Sequence, residues 1–111
     1  MTRPNLGALE LTVLLAVARL GDQAFGLAVR RDVSDRTGRE YSVGAIYTTL
    51  QRLEDKGLLT SLSTDPLPVR GGRSRRQFTL TAAGASALRH AERVAASVWS
   101  GLRTSFEART S

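Results

Sequence analysis

Apolar residues crowd the stretch from Leu6 to Leu20, where Leu9, Leu11, Val13, Leu14, Leu15, Ala16, Val17 and Leu20 leave almost no polar face. Such a run predicts a first helix buried on several sides and ended by Gly21 and Asp22. A second helix should follow, with Asp22 as N-cap, Phe25, Val29 and Val33 on one stripe, Arg30, Arg31 and Asp32 turned outward, and Gly38 as C-cap. The third helix, about residues 42–56, is marked most sharply. Ser42 is a good N-cap, Val43, Ile46, Leu50 and Leu53 recur at 3-4-3 spacing, and Gly57 stops it. A rotation of about 100° per residue from that stripe puts Gly44, Ala45, Thr48 and Arg52 on the opposite face, with Gln51 beside them and Tyr47 on the border.

Beyond Gly57 the pattern changes from helical to strand-like. Leu58 to Thr64 and Gln77 to Leu80 read as two strands of a hairpin, about residues 58–80. Pro66, Pro68, Gly71 and Gly72 mark the loop between them, and Arg70, Arg73, Arg75 and Arg76 concentrate cation at its later part. Thr81 then caps a final helix on which Leu88, Ala91, Ala95, Val98 and Leu102 recur at heptad-like spacing, widened by Val94, Trp99 and Phe106. A helix leaving a hairpin has little of its own domain to cover such a seam, so a second copy of the chain is the expected partner, with Leu9 and Val13 of the first helix joining the contact. The chain therefore reads as mainly α with a small β-hairpin: a winged helix-turn-helix over residues 1–80 and a dimerisation helix over 81–111.

Composition narrows the function. The 111 residues, 41% of them hydrophobic, suit one compact domain. No cysteine is present, which excludes disulfides and thiolate chemistry. His90, the only histidine, has no cysteine or second histidine with which to hold a metal, and no cofactor is expected. No Gly-x-Ser-x-Gly, Walker lysine or His-Glu-x-x-His motif occurs, and Glu54 and Asp55 are neighbours pointing to different helix faces, so an enzyme is not expected. The longest apolar run, Leu11 to Ala18, is too short for a bilayer and no signal-peptide pattern opens the chain, which suggests a cytoplasmic protein. A net charge of +6, carried by arginines except for Lys56, favours a polyanionic partner.

Element order and charge together describe a protein whose third helix enters the major groove of double-stranded DNA while a basic wing lies on the backbone or in a minor groove. Gly44 and Ala45 are small enough for close approach, Thr48 and Gln51 reach base edges, Arg52 reaches phosphate or guanine, and the amides near Ser42 favour a phosphate. Plainer roles stand beside these. Tyr47 either contacts a phosphate or seals the core edge, Arg52 competes with a surface pair to Glu54 or Asp55, and the wing arginines could serve as solubilising charge. Trp99 is either an interface anchor or a stacking platform for a flat aromatic effector across the two-fold axis.

These residues resemble the PadR family of bacterial transcriptional regulators. The likeness runs through Leu6-Gly7 with Glu10, Leu20-Gly21, Phe25-Gly26, Ser42-x-Gly44-x-x-Tyr47, Leu50-x-Arg52-Leu53-Glu54, Lys56-Gly57-Leu58, Gly72-Arg73-x-Arg75-Arg76-x-Phe78-x-Leu80-Thr81 and Gly84. It implies a winged-helix homodimer, usually a repressor, on a roughly palindromic operator. Two departures are visible: Phe78 stands where the family commonly has Tyr, which removes one hydroxyl contact, and the chain ends near its single C-terminal helix. The competing class is a winged-helix module that binds another protein, for which an apolar or acidic patch on the third helix or wing would be expected.

Overall fold

The computed structural model describes residues 6–64 and 75–102. The elements run α1 (Ala8–Leu20), α2 (Gly26–Thr37), α3 (Val43–Asp55), β1 (Leu59–Ser63), β2 (Arg76–Leu80) and α4 (Ala82–Trp99), with a single 3₁₀ turn at Gly21–Gln23. The fold is mainly helical with one antiparallel hairpin, as the sequence pattern predicts. Arg70, Arg73 and Phe106, expected in DNA binding and dimerisation, lie outside the described residues.

One core organises the chain. Val13, Leu14 and Val17 of α1, Val29 and Val33 of α2, and Ile46, Leu50 and Leu53 of α3 meet Leu58, Leu59 and Phe78 with essentially no exposure. Burying such side chains stabilises by roughly 1.5 to 3 kcal/mol each before entropy is charged. Phe78 belongs to this interior, so its lack of the Tyr hydroxyl bears on core packing and not on an outward contact. The hairpin pairs Leu59 with Leu80, Ser61 with Phe78 and Ser63 with Arg76. It is tied to the α1–α2 connection by the Phe78 amide donating to the Ala24 carbonyl at 2.9 Å and by the Gln77 side-chain amide donating to the Asp22 carbonyl at 2.8 Å.

Several expectations are corrected here. Asp22 sits in the 3₁₀ turn and Phe25 is the residue preceding α2, so α2 starts without a side-chain cap. Helix α1 is buried on one side only: Leu15 is exposed, because α2, α3, β2 and α4 pack around the Val13, Leu14 and Val17 face. Val13 is wholly enclosed within its own chain and Leu9 is packed against the core, so Val13 cannot form a seam with another copy without unfolding its surroundings. The next helical face, Leu11 and Leu15, lies beside α4 in their place. Val43 is 42% exposed, since the first turn of α3 overhangs the core, and Thr49 is buried instead, its hydroxyl donating to the Ala45 carbonyl at 2.8 Å. Arg30 and Asp32 do not simply face water. Arg30 Nε donates to the Tyr41 carbonyl at 2.6 Å and so pins the α2–α3 turn, while Asp32 accepts from both Arg19 and Arg36.

Helix α4 serves two purposes. Its start is integral to the core: the Thr81 hydroxyl accepts from the Gly84 amide at 3.0 Å and donates to the Gly57 carbonyl at 2.7 Å. A side chain at Gly84 would overlap the Leu58 carbonyl oxygen and come within 2.7 Å of Leu80 Cδ1. From Glu92 onward every described residue is exposed. The helix stops at Trp99, and Gly101 takes φ +77°, so Leu102 does not continue the stripe on an unbroken helix. Ser100 and Gly101 are poor helix residues, which accounts for the early stop.

Ion pairs tie α1 to the helices beside it. Lys56 meets Glu10 at 2.7 Å, and Arg19 of α1 meets Asp32 of α2. The hydrogen bond from Lys56, followed by that from the Gly7 amide, holds the Glu10 carboxyl below its ordinary range. The hydrogen bond from Arg19 does the same for Asp32 against partial desolvation. Folded values below unfolded ones mean stabilisation that is complete above the unfolded pKa of about 4 and is lost as pH falls through the folded value. Asp32→Asn should therefore cost about 1 kcal/mol at neutral pH, and the difference from wild type should vanish in thermal melts once both are taken below the folded pKa. A difference that stays constant into acid would show that Asp32 acts through shape and not charge.

Candidate nucleic-acid interface

The outward side of α3 is built from its first turn. Ser42 Oγ accepts from the Ala45 amide at 3.0 Å, which spends the hydroxyl on capping and leaves the Val43 and Gly44 amides at the open end of the helix. Gly44, Thr48, Gln51 and Arg52 are exposed and Ala45 is half-buried. A Cβ at Gly44 would find only Ser42 Oγ, 4.0 Å away, so none of the described residues demands glycine there. Gln51 Nε2 donates to Asp55 Oδ1 at 3.0 Å. Arg52 pairs with neither Glu54 nor Asp55 among the described residues; it lies near Glu10 and helps to keep that carboxyl ionised.

Tyr47 is fixed by its neighbour in α2. A Cβ at Gly26 would overlap the Tyr47 hydroxyl and lie 2.9 Å from its Cε1, so the ring rests on the bare Gly26 backbone and glycine is what lets α2 and α3 approach. The ring is thus a sealing group that keeps an exposed edge.

The described wing residues divide. Arg75 lies with its guanidinium 4.2 Å from the centre of the Phe25 ring, a cation–π contact at the mouth of the α2–α3 groove. Arg76 turns back, pairing with Glu54 Oε1 at 3.0 Å and donating to Ser61 Oγ, and its guanidinium also lies 5.5 Å from the Phe78 ring centre. Ser61 itself donates to the Glu54 carboxylate at 2.8 Å. The structure thus brings Arg75 and the α3 face onto one side of the molecule and ties Arg76 to its own fold. Arg31, Phe25 and Leu27 line the same groove as Tyr47 and Arg75 and were not singled out by sequence reasoning. Their signal was weak: Phe25 looked like core and Arg31 like one of many exposed cations.

The remaining predicted residues lie on the far side of the core. Val94, Val98 and Trp99 are exposed on α4, Val98 by 71% and Trp99 by 59%. Leu11 and Leu15 of α1 border, with Leu88, Ala91 and Ala95 of α4, an apolar groove of about 340 Å³. Among the described residues no group of three metal-ligating side chains occurs, and no helix is long and apolar enough to cross a membrane.

A helical pair whose second member shows a small, polar and basic face, followed by a hairpin that packs against it, defines a winged helix-turn-helix of the DNA-binding kind. The chain belongs to the transcriptional regulator PadR-like family, whose pattern its residues 14–90 match. No curated protein matches it by sequence. Among solved structures it is similar to a PadR family transcriptional regulator from Eggerthella lenta, with 27% identity, a TM-score of 0.65 and coverage of 89% of this chain and 88% of that one. RosR of H. salinarum shares the fold at 24% identity and a TM-score of 0.70, over 98% of this chain and 94% of its own. The family consists of DNA-binding regulators of transcription, not enzymes.

The Gly26–Tyr47 contact is open to test by a double-mutant cycle. Gly26→Ala should destabilise the chain by about 1 to 3 kcal/mol through overpacking, and far less when Tyr47→Ala has already removed the ring. Equal losses in both backgrounds, measured by urea melts, would place the cost in the α2 backbone.

Proposed function

We propose that the protein is a sequence-specific regulator that binds a roughly palindromic operator as a homodimer, acts as a repressor and is released by a small molecule. The observation that carries the reading is the outward face of α3, where no described residue requires Gly44 to be glycine and Thr48, Gln51 and Arg52 are exposed. Gly44 and Ala45 allow close approach, Thr48 and Gln51 read base edges, and Arg52 and Arg75 hold phosphates. Gln51 leaves Asp55 to do so, an exchange of one exposed hydrogen bond for another. Arg70 and Arg73 would extend the phosphate contacts from the wing. Beyond its first turn, where Val43 and Tyr47 border an apolar groove, the described outward face of α3 is small, polar and basic at Thr48, Gln51 and Arg52, which favours DNA over a protein partner.

Dimerisation falls to α4, with Ala91, Ala95, Val98 and Trp99 facing the partner and Leu11 and Leu15 of α1 flanking them. The domain plan follows: residues 1–80 read DNA and 81–111 set the distance between two readers, roughly 34 to 36 Å for successive major grooves. The start of α4 is shared with the reader. A ligand stacking on Trp99 would act only by preferring a separation other than the DNA-bound one.

A salt-dependent titration against duplex from upstream of the protein's own gene and against random duplex tests the first half. Preference for the upstream duplex is expected. Replacing Arg52 or Arg75 with Ala should weaken both duplexes and lower the salt slope by about 1 each, whereas Thr48 and Gln51 changes should alter preference alone. Weak, equal binding of both duplexes would refute sequence-specific reading.

Light scattering tests the second half. Val98→Glu should halve the mass of the wild-type dimer, because an unpaired carboxylate at an apolar seam costs several kcal/mol. A wild-type monomer, or a dimer indifferent to this change, would exclude the α4 seam.

A further inference from the structure

Val43 opens α3 directly after the Ser42 cap, and its side chain is 42% exposed. Nothing local favours valine there. A first helical position suits proline or an acidic residue, and a β-branched side chain is a weak helix former that here leaves methyl groups in water. Ile46, Leu50 and Leu53 of the same stripe are wholly buried, so α3 is anchored to the core behind Val43 and not through it. Helical Cα–Cβ bonds tilt toward the N-terminus, so Val43 leads the end of the helix that enters a groove first. Gly44 beside it is exposed and has no side chain to stand in front of the valine methyls. The χ1 angle of valine is held almost entirely to one rotamer in a helix, so those methyls point one way at little cost in entropy.

A valine side chain offers neither donor nor acceptor, which narrows what it can recognise on DNA. Of the groups on the major-groove edges of the bases, only the C5 methyl of thymine is apolar. We propose that Val43 selects a thymine in each half-site by packing its methyls on that C5 methyl, as a specificity-determining residue beside Thr48 and Gln51. Cytosine at the same place lacks the methyl and sets its N4 donor against an apolar side chain, which leaves that donor unpaired. The assignment rests on the reading of α3 as the DNA-contacting helix given above, and deepens it by naming a base and the atom by which it is known.

The test uses the full chain and the upstream duplex, made once with thymine and once with deoxyuridine throughout. That exchange removes the methyl and keeps every hydrogen-bonding group. Wild-type protein should bind the deoxyuridine duplex more weakly by about fourfold for each half-site, the worth of one buried methyl. Val43→Ser, at a position exposed enough to spare the core, should weaken the thymine duplex by a similar factor and lose most of the sensitivity to the methyl. Random duplex, held by its phosphates, should be bound by the variant as by wild type. A wild type indifferent to deoxyuridine, or a penalty equally large in wild type and variant, overturns the proposal. So does a variant whose loss on random duplex matches its loss on the upstream one, which marks a disturbed helix and not a lost contact. A chain that binds upstream and random duplexes equally removes the sequence-specific reading and this proposal with it, whereas preference for the upstream duplex without a Val43-dependent methyl effect overturns this proposal alone.

Discussion

The contact of Tyr47 with the bare backbone of Gly26 lets α2 and α3 pack closely at their outer edge, and the groove beside the first turn of α3 takes one wall from it. With a side chain at Gly26 the ring would be driven outward and the first turn of α3 would lose the wall that supports it. The same groove is bordered by Val43 and by Arg75, which lies over Phe25. The turn joining the two helices is held from outside by Arg30 on the Tyr41 carbonyl, so the helix pair is braced at both its contact and its hinge.

A comparable constraint works at the other end of the domain. Gly84 admits the Leu58 carbonyl against the first turn of α4, and Thr81 bonds both its own helix and Gly57. Core and protruding helix are thereby joined by a stiff corner. The exposed half of α4 thus leaves the core in a direction fixed by packing, which on the proposed reading is the property a spacer between two copies requires.

Where burial is one-sided and period is clean, the sequence was readable. The stripe Ile46, Leu50 and Leu53 located α3, and Ser42, Gly38 and Gly57 marked boundaries that the structure shows by cap and by positive φ. Helix α1 was harder, because nearly all its residues are apolar and periodicity then cannot say which face is inside; Leu9 and Val13, expected at a seam, pack into the core, and Leu11 and Leu15 are the α1 residues that line the groove beside α4. Asp22 looked like a cap, but the hairpin claims its carbonyl and the 3₁₀ turn its backbone. Long-range partners were invisible: nothing local joins Arg76 to Glu54, Arg30 to Tyr41 or Arg75 to Phe25. The α3 candidate residues were legible because they are what remains once the buried stripe is removed, whereas the groove needed three separate segments to be brought together.

The triad of Glu54, Ser61 and Arg76 joins α3 to both strands of the hairpin through side chains alone. Helix and wing base therefore turn as one stamp instead of two independent fingers. On the proposed reading, a mismatch felt by α3 would tilt the wing as well, so errors in the half-site and losses of backbone contact would arrive together, and discrimination would sharpen without any further contact to a base.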